Sequence, residues 1–313
     1  MVIKMKKRLF TVILCLLLSA VVIYKLDTIV NVLTKYFKST PSVAKIEKNK
    51  YAKNTNYEHV QITNDFVAYN YQELLNIFYT ILDSGYDVFT FYCPAEYTDC
   101  ISDVESISDP KNLVVLTTVG NYVSPFNNFS SLKVVYDTAG EVTVEVTHLY
   151  SEEDILSINN KIDAIWKEII KPDMSNEDII KAYHDYIINN TKYDEEYDKE
   201  LKATGTTTHQ AHKANGPLFE GYAICSGYTD VMTILLDRLN IKNFKVASDT
   251  HVWNAVYINN EWKHLDLTWD DPVSSDHSKN NLIHKFYLID TKSLSEFDID
   301  DHTFDKSIYL ELK

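Results

Sequence analysis

The sequence predicts an α+β protein, and three observations carry that expectation. Apolar residues recur with helical spacing at 71–82, 152–170, 176–188 and 226–239. Alternating runs joined by turn residues recur at 132–149 and 251–268. The strongest helix stripe, after Ser226, is followed at once by the second of these strand pairs, so a helix packed on an antiparallel sheet is expected.

The chain begins with Lys4, Lys6, Lys7 and Arg8, then the uncharged run Leu9 to Tyr24, then Lys25. A basic flank before an apolar run has the orientation of a secretory signal or signal anchor, with the flank left inside. The run of 16 residues would be about 24 Å long as helix at ~1.5 Å per residue, short of a ~30 Å hydrocarbon core. That length suits a cleaved signal, yet Ser19-Ala20-Val21 is a poor cleavage site. The bulky Leu14 before Cys15 also argues against lipoprotein processing. Residues 1–30 are therefore expected to form a membrane anchor or signal segment, leaving the rest extracytoplasmic, or secreted if cleavage occurs.

Residues 31–58, rich in Lys, Asn, Ser and Thr from position 38, are expected to be a linker. Residues 59–150 are expected to be a small α+β region. Its helix spans Tyr71–Leu82, with Leu74, Leu75, Phe78, Ile81 and Leu82 on one face and Ser84-Gly85 as the stop. Strands are expected at Val88–Tyr92 and Leu113–Val119, and a hairpin joins Leu132–Tyr136 to Val142–Leu149. Cys93 and Cys100 are close enough to form a small disulfide loop outside the cell, or are two separate buried thiols. His148 is read as a surface or packing residue.

Residues 151–313 are expected to be the second, chemistry-bearing domain. Its first helix carries Ile155, Ile158, Ile162, Ile165, Trp166 and Ile169, and Pro172 follows its end. Ser175 and Asp178 form a capping-box signal for the second helix. Within that helix His184-Asp185 reads as a polar pair on the surface. Residues 192–216, with acidic Asp194-Glu195-Glu196, read as a polar loop. His209 and His212 lack further ligands at zinc spacing, and no metal or cofactor is expected.

Composition sets outer limits. At 313 residues, 45% hydrophobic and 24% charged, the chain can bury a full core. A net charge of −15 excludes a non-specific nucleic-acid binder, which needs clustered cations. No Cys-x-x-Cys pair exists, so neither a zinc ribbon nor a thioredoxin-type site is indicated.

Chemistry concentrates in residues 221–272. Tyr228, Val231, Met232, Leu235, Leu236 and Leu239 share one helical face, which puts Cys225 at the helix start between Gly221 and Gly227. Free backbone N–H groups and the helix dipole favour an anion there. A thiol in such a setting ionises more readily than a free one at ~8.5, and the thiolate is the nucleophile. The same N–H groups can hold an oxyanion. A lone cysteine at a helix start is more often a small buried hydrophobe. His251 and Asp266 change that balance. Asn259-Asn260 tolerates the positive φ of a tight hairpin turn. If Ile258 pairs with Glu261, His251 falls opposite Thr268 and Trp253 opposite Asp266. His251 and Asp266 then share a face as diagonal neighbours. A carboxylate so placed fixes the tautomer of the imidazole and stabilises its charged form.

These residues resemble the transglutaminase-like superfamily of cysteine enzymes. The likeness lies in Gly221-Tyr-Ala-Ile-Cys225-Ser-Gly227-Tyr228, His251-Val-Trp253-Asn and Asp266-Leu-Thr-Trp269, with Tyr183 to Asp194 as the helix before the core. It runs from about residue 175 to 290. One departure is Ala223, where many relatives have Gly. The resemblance implies a papain-like core with the nucleophile helix against an antiparallel sheet. It implies Cys225 as nucleophile, His251 as base and Asp266 as its orienting carboxylate. Gly227, Tyr228, Trp253 and Trp269 are expected to contact substrate. The expected reaction is a thioester acyl-enzyme formed from a carboxamide of a protein or peptide, with transfer to an amine or to water. A cell-envelope protease or amidase, or a silent binding module of the same fold, are the other readings.

Overall fold

The computed structural model describes Lys25 and residues 46–204, 210–272, 282–297 and 299–313. The fold is α+β. Helix α1 (Tyr71–Ser84) starts where the Asn70 side chain accepts from the Glu73 amide, and stops at Gly85 with φ 73°. A Cβ at Gly85 would lie 2.0 Å from Asn49 Nδ2, so only glycine fits that left-handed cap. Strand β1 (Val88–Tyr92), helix α2 (Cys100–Ile107) and helix α3 (Val114–Gly120) follow. Strands β2 (Phe129–Tyr136) and β3 (Glu141–His148) complete an antiparallel sheet in the order β1-β3-β2. Cys93 and Cys100 are bonded to each other.

The expected strand at Leu113–Val119 is a helix instead. Leu116, Val119 and Gly120 are buried at a spacing of three and four, while Val114 is exposed. A docking site against α1 thus overrides the strand preference of its valines and threonines.

Helices α4 (Glu152–Ile169) and α5 (Asn176–Asn190) each open on a reciprocal capping box, Ser151 with Asp154 and Ser175 with Asp178. Strand β4 (Lys192–Tyr193) leads into helix α6 (Glu195–Thr204). The acidic stretch after Asp194 is therefore not a loop. The Asp194 carboxylate accepts from the Tyr197 amide at 2.9 Å and caps the turn, and Tyr197 is buried. Residues 205–209, including His209, lie outside the described residues.

Strand β5 (Tyr222–Ala223), parallel to β4, delivers the chain to α7 (Cys225–Arg238). Strands β6 (Asn243–Ala247), β7 (Val252–Ile258) and β8 (Glu261–Leu265) form an antiparallel sheet in that order. Asn259 and Asn260 adopt φ 54° and 64°, as the tight turn requires. Helix α8 (Thr291–Ser295) and a turn at Asp300–His302 close the chain over the sheet.

Strand β7 is buried on both faces, and this is what organises the molecule. Val256 belongs to the core made by α4, α5 and α7. Trp253 and Ala255 belong to the other core, with Phe244 and Val246, α1 and the C-terminal Tyr309 and Leu312. Helix α7 is tied to β7 by polar groups. Thr229 Oγ1 donates to Val252 O at 3.0 Å, and Asn254 Nδ2 donates to Thr233 Oγ1 at 2.8 Å. Residues 46–58, expected within a linker, run against this body. Tyr57 is buried with its hydroxyl donating to Asn243 O at 2.7 Å, and Lys53 Nζ meets Asp237 at 3.1 Å. Among the described residues no helix is long and apolar enough to cross a membrane. The apolar run Leu9 to Tyr24 lies outside them.

Candidate active site

Cys225 is the first residue of α7. Ile224 before it is extended, with no side-chain cap, and its amide donates to Ala211 O at 3.0 Å. The helix start is thus held by the turn at Ala211. Cys225 is half-buried and is the free thiol among the described residues.

The hairpin register is the one the turn implies, with Ile258 opposite Glu261 and Asn254 opposite Leu265. It ends there. Asp266 leaves the ladder, its amide donating to Phe286 O at 3.1 Å, and the chain coils so that the Asp270 amide returns to Asp266 O at 3.2 Å. Thr268 is therefore not a strand partner of His251, because the Asp266 Oδ1 takes the Thr268 amide at 2.9 Å and the Trp269 amide at 3.3 Å. The turn keeps Asp266 beside His251 all the same. His251 Nε2 lies 2.7 Å from Asp266 Oδ2, both buried.

An ionised carboxylate only accepts, so Nε2 carries a proton and Nδ1 is left for Cys225. Burial opposes charge on His251, but Asp266 by charge and hydrogen bond, with Cys225 beside it, lifts the imidazole from 6.5 to about 10. Burial likewise opposes the Asp266 charge, and His251 and His302 together hold its carboxyl well below the usual range. His302 was not singled out from sequence. It donates from Nε2 to the same Asp266 Oδ2 at 2.8 Å. Only its separation of 36 residues from Asp266 and an unremarkable acidic context stood in the sequence.

Cys225 and His251 open into a cleft of about 340 Å³, with Tyr193, Thr250, Thr268, Trp269, Asp271, Pro272 and Asp301 as its other walls. Of the four expected substrate contacts, the structure brings only Trp269 to this wall. Gly227 faces inward, where a Cβ would lie 2.2 Å from Ala211 O. Tyr228 is fully buried and donates to Asp271 Oδ2 at 2.5 Å. Trp253 is fully buried, stacked on His251 at 5.7 Å, with Nε1 donating to His264 Nδ1 at 2.9 Å. These three support the walls from behind. Burial pushes the Asp271 carboxyl up to about 6 against the opposing Tyr228 hydrogen bond. A cavity of about 410 Å³ lies at the other end of α7, beside Asp237 and Lys242, and is lined by neither cysteine nor histidine.

His184 is not on the surface of α5. It is fully enclosed, with Nδ1 2.9 Å from Asp185 Oδ1 and Nε2 3.2 Å from Asp270 Oδ2. Burial opposes its charge, and the two carboxylates still raise it above 6.5. His184, Asp185 and His284 present three donor atoms within 4.8 Å of one another, as do His251, Asp266 and His302. In both sets these atoms already hydrogen-bond among themselves. His212 is not part of either, since its Nδ1 meets the Tyr197 hydroxyl at 2.7 Å.

The profile of the transglutaminase-like superfamily matches residues 163–267, the span that holds α5, Cys225, His251 and Asp266. About a third of the chain is thus similar to that superfamily. Within that span helix α7, which begins at Cys225, packs on the antiparallel sheet β6-β7-β8. Two solved structures overlap the chain in part. One is a TGase, 14% identical with TM-score 0.34, covering 51% of this chain and 49% of its own. The other is a candidate cysteine protease from Cytophaga hutchinsonii, 15% identical with TM-score 0.26, covering 44% and 61%. The chain thus spans about half of the first and under two thirds of the second. No curated protein matches the chain. The C-terminal segment that supplies Phe286 and His302 lies beyond the matched residues.

Proposed function

We propose that the protein is an extracytoplasmic, membrane-anchored cysteine enzyme that transfers acyl groups from a carboxamide of a protein or peptide. Cys225 is the nucleophile, His251 the general base and acid, and Asp266 the carboxylate that orients and charges His251. What supports this reading is that His251, held by Asp266 at 2.7 Å on Nε2, lines the same cleft as Cys225.

Charge on His251 favours a thiolate–imidazolium pair at neutral pH. The thiolate attacks the carboxamide carbon, forming the C–S bond while the carbonyl electrons move to oxygen. The first N–H groups of α7 stabilise that oxyanion, worth on the order of 10²–10³ in rate for one donor. His251 then gives its proton to the departing nitrogen, the C–N bond breaks, and a thioester remains. An amine or water attacks the thioester carbon, forming a C–N or C–O bond while His251 takes the proton of the incoming group, and the C–S bond breaks to return the Cys225 thiolate. Whether the acceptor is amine or water depends on how far the cleft excludes water. Cys93 bonded to Cys100 supports an oxidising compartment, and the apolar run after Arg8 supports export with an anchor.

The test follows amine-probe incorporation and peptide cleavage on the same purified full-length protein. Incorporation lost in Cys225→Ala supports transfer, and cleavage lost in that variant supports hydrolysis. Neither activity, together with Cys225 alkylating no faster than a free thiol, would leave a silent binding module.

A further inference from the structure

The geometry points to His302 as a positioning residue of this site: as a neutral donor it shares Asp266 Oδ2 with His251 and restrains how tightly the carboxylate holds the His251 imidazolium. The inference rests on the catalytic reading of Cys225, His251 and Asp266 above.

His302 ends a short helical turn, Asp300–His302, in the segment beyond the matched residues. Its ring is enclosed by aromatic groups. It stacks on Phe286 at 5.0 Å and 24°, meets Trp253 edge-on at 5.0 Å, and lies against Trp269 at 5.3 Å. The plane of His251 stands at 84° to it. Both imidazoles thus approach one oxygen from different directions, at 2.7 and 2.8 Å.

The protonation of His302 follows from its surroundings. Asp266 only accepts, so the His302 Nε2 carries hydrogen. Its Nδ1 is buried and, among the described residues, has no hydrogen-bond partner. A second proton there would be an unpaired donor in a dry aromatic pocket. His302 is therefore a fixed, neutral N–H donor.

The other titratable groups around the pair are few. His264 lies behind Trp253, with Nε2 on the Thr291 hydroxyl at 3.1 Å, and burial keeps it well below 6.5. Asp290 faces His264. Cys225, Asp271 and Asp301 face His251 from the cleft. Of the two donors on Asp266 Oδ2, only His251 has a partner on its far side and so changes charge during turnover.

A hydrogen bond to a carboxylate spreads its charge, and removing one concentrates that charge on the remaining donor. Loss of His302 leaves Oδ2 to His251 alone, because Oδ1 is separately held by the Thr268 and Trp269 amides. His251 then becomes more basic. A base held too strongly as its conjugate acid returns its proton to the leaving nitrogen more slowly. His302 thereby keeps His251 able to act in both directions.

The experiment measures iodoacetamide alkylation of the Cys225-containing peptide by mass spectrometry against pH, on the full-length protein, His302→Phe and His302→Gln. In His302→Phe, which keeps the aromatic packing, the high-pH step that reports His251 moves up by about half to one pH unit. In His302→Gln, which restores an N–H donor, it stays close to wild type. A step in His302→Phe that stays put or moves down overturns the proposal, as does His302→Gln behaving like His302→Phe. Should His302→Phe fail to fold, nitrogen NMR of the wild-type imidazoles decides. A neutral ring protonated at Nε2 from pH 5 to 9 supports the proposal, and a charged ring or an Nδ1–H tautomer overturns it. Failure of the catalytic reading looks different: wild-type Cys225 would alkylate with the single limb of a free thiol, whatever the state of His302.

Discussion

His184 and Asp270 form a second buried histidine–carboxylate pair, one chain turn beyond the pair of His251 with Asp266. The Nε2 to Oδ2 separation is 3.2 Å, both side chains are fully enclosed, and the Asp270 amide donates to Asp266 O. Asp270 Oδ1 also takes the Phe286 amide at 2.9 Å. The segment from Asp266 to Asp270 is thus pinned at both ends by histidines that lie far away in sequence.

Truncating His184 leaves the Asp270 carboxylate buried without its cation. His184→Ala is expected to cost about 3–5 kcal/mol, the penalty of a broken buried pair. Urea unfolding checks this, and a midpoint within error of wild type at unchanged slope contradicts it.

His251→Ala removes the group that shares a cleft with the thiol. Alkylation of Cys225 at pH 7 is expected to fall to the rate of a free cysteine, and turnover to fall by about 10²–10⁴. Retention of rapid alkylation in this variant would mean that α7 alone activates the thiol.

Asp266→Asn replaces an anion by a neutral amide, so His251 falls back toward its ordinary 6.5. The raised His251 contributes stability that is fully present below about 6.5 and is lost as pH rises toward 10. The wild-type melting temperature should decline across that window, and the decline should flatten in Asp266→Asn. Equal alkaline slopes in the two proteins would show that the pair does not carry charge.

Asp271 behaves in the opposite sense to a usual paired carboxylate. Its folded value near 6 exceeds the unfolded value of 3.8, so the wild type loses stability as pH rises between those two points and is level above them. Asp271→Asn should therefore gain on wild type from pH 4 to pH 7, by about 1–3 kcal/mol at ~1.4 kcal/mol per unit. Thermal melts at the two pH values provide the check, and a constant difference between the proteins refutes it.

Gly227→Ala tests the seating of α7. The new Cβ would lie 2.2 Å from Ala211 O, a backbone atom that cannot swing aside. A loss of about 1–3 kcal/mol is expected from the overpacked contact, with slower Cys225 alkylation as the helix start shifts. Unchanged stability and reactivity would show that the 211–213 segment yields.

Much of the site was legible because its signals are local. The stripe after Ser226 sets the axis of α7, hence Cys225 at its first residue. Asn259 and Asn260 select a tight turn, and a tight turn sets the register that carries His251 toward Asp266. Capping boxes at Ser151 and Ser175 likewise need only the residues within one turn.

What tertiary structure alone decided are the contacts that close over long separations. Val114–Gly120 carries strand-forming residues, and burial against α1 makes it a helix. His184 reads as a surface residue of α5 until Asp270 arrives beside it. Tyr228 and Trp253 have the chemistry of cleft walls, and packing on both faces of β7 places them behind the wall instead. His302 reaches Asp266 only because the C-terminal segment folds back over the sheet. Spacing along a chain encodes a helix face or a turn, whereas a buried charge finds its partner through the packing of whole elements. For that reason Cys225, His251 and Asp266 could be singled out as candidates from local signals, whereas the groups packed around them come from folding the whole chain.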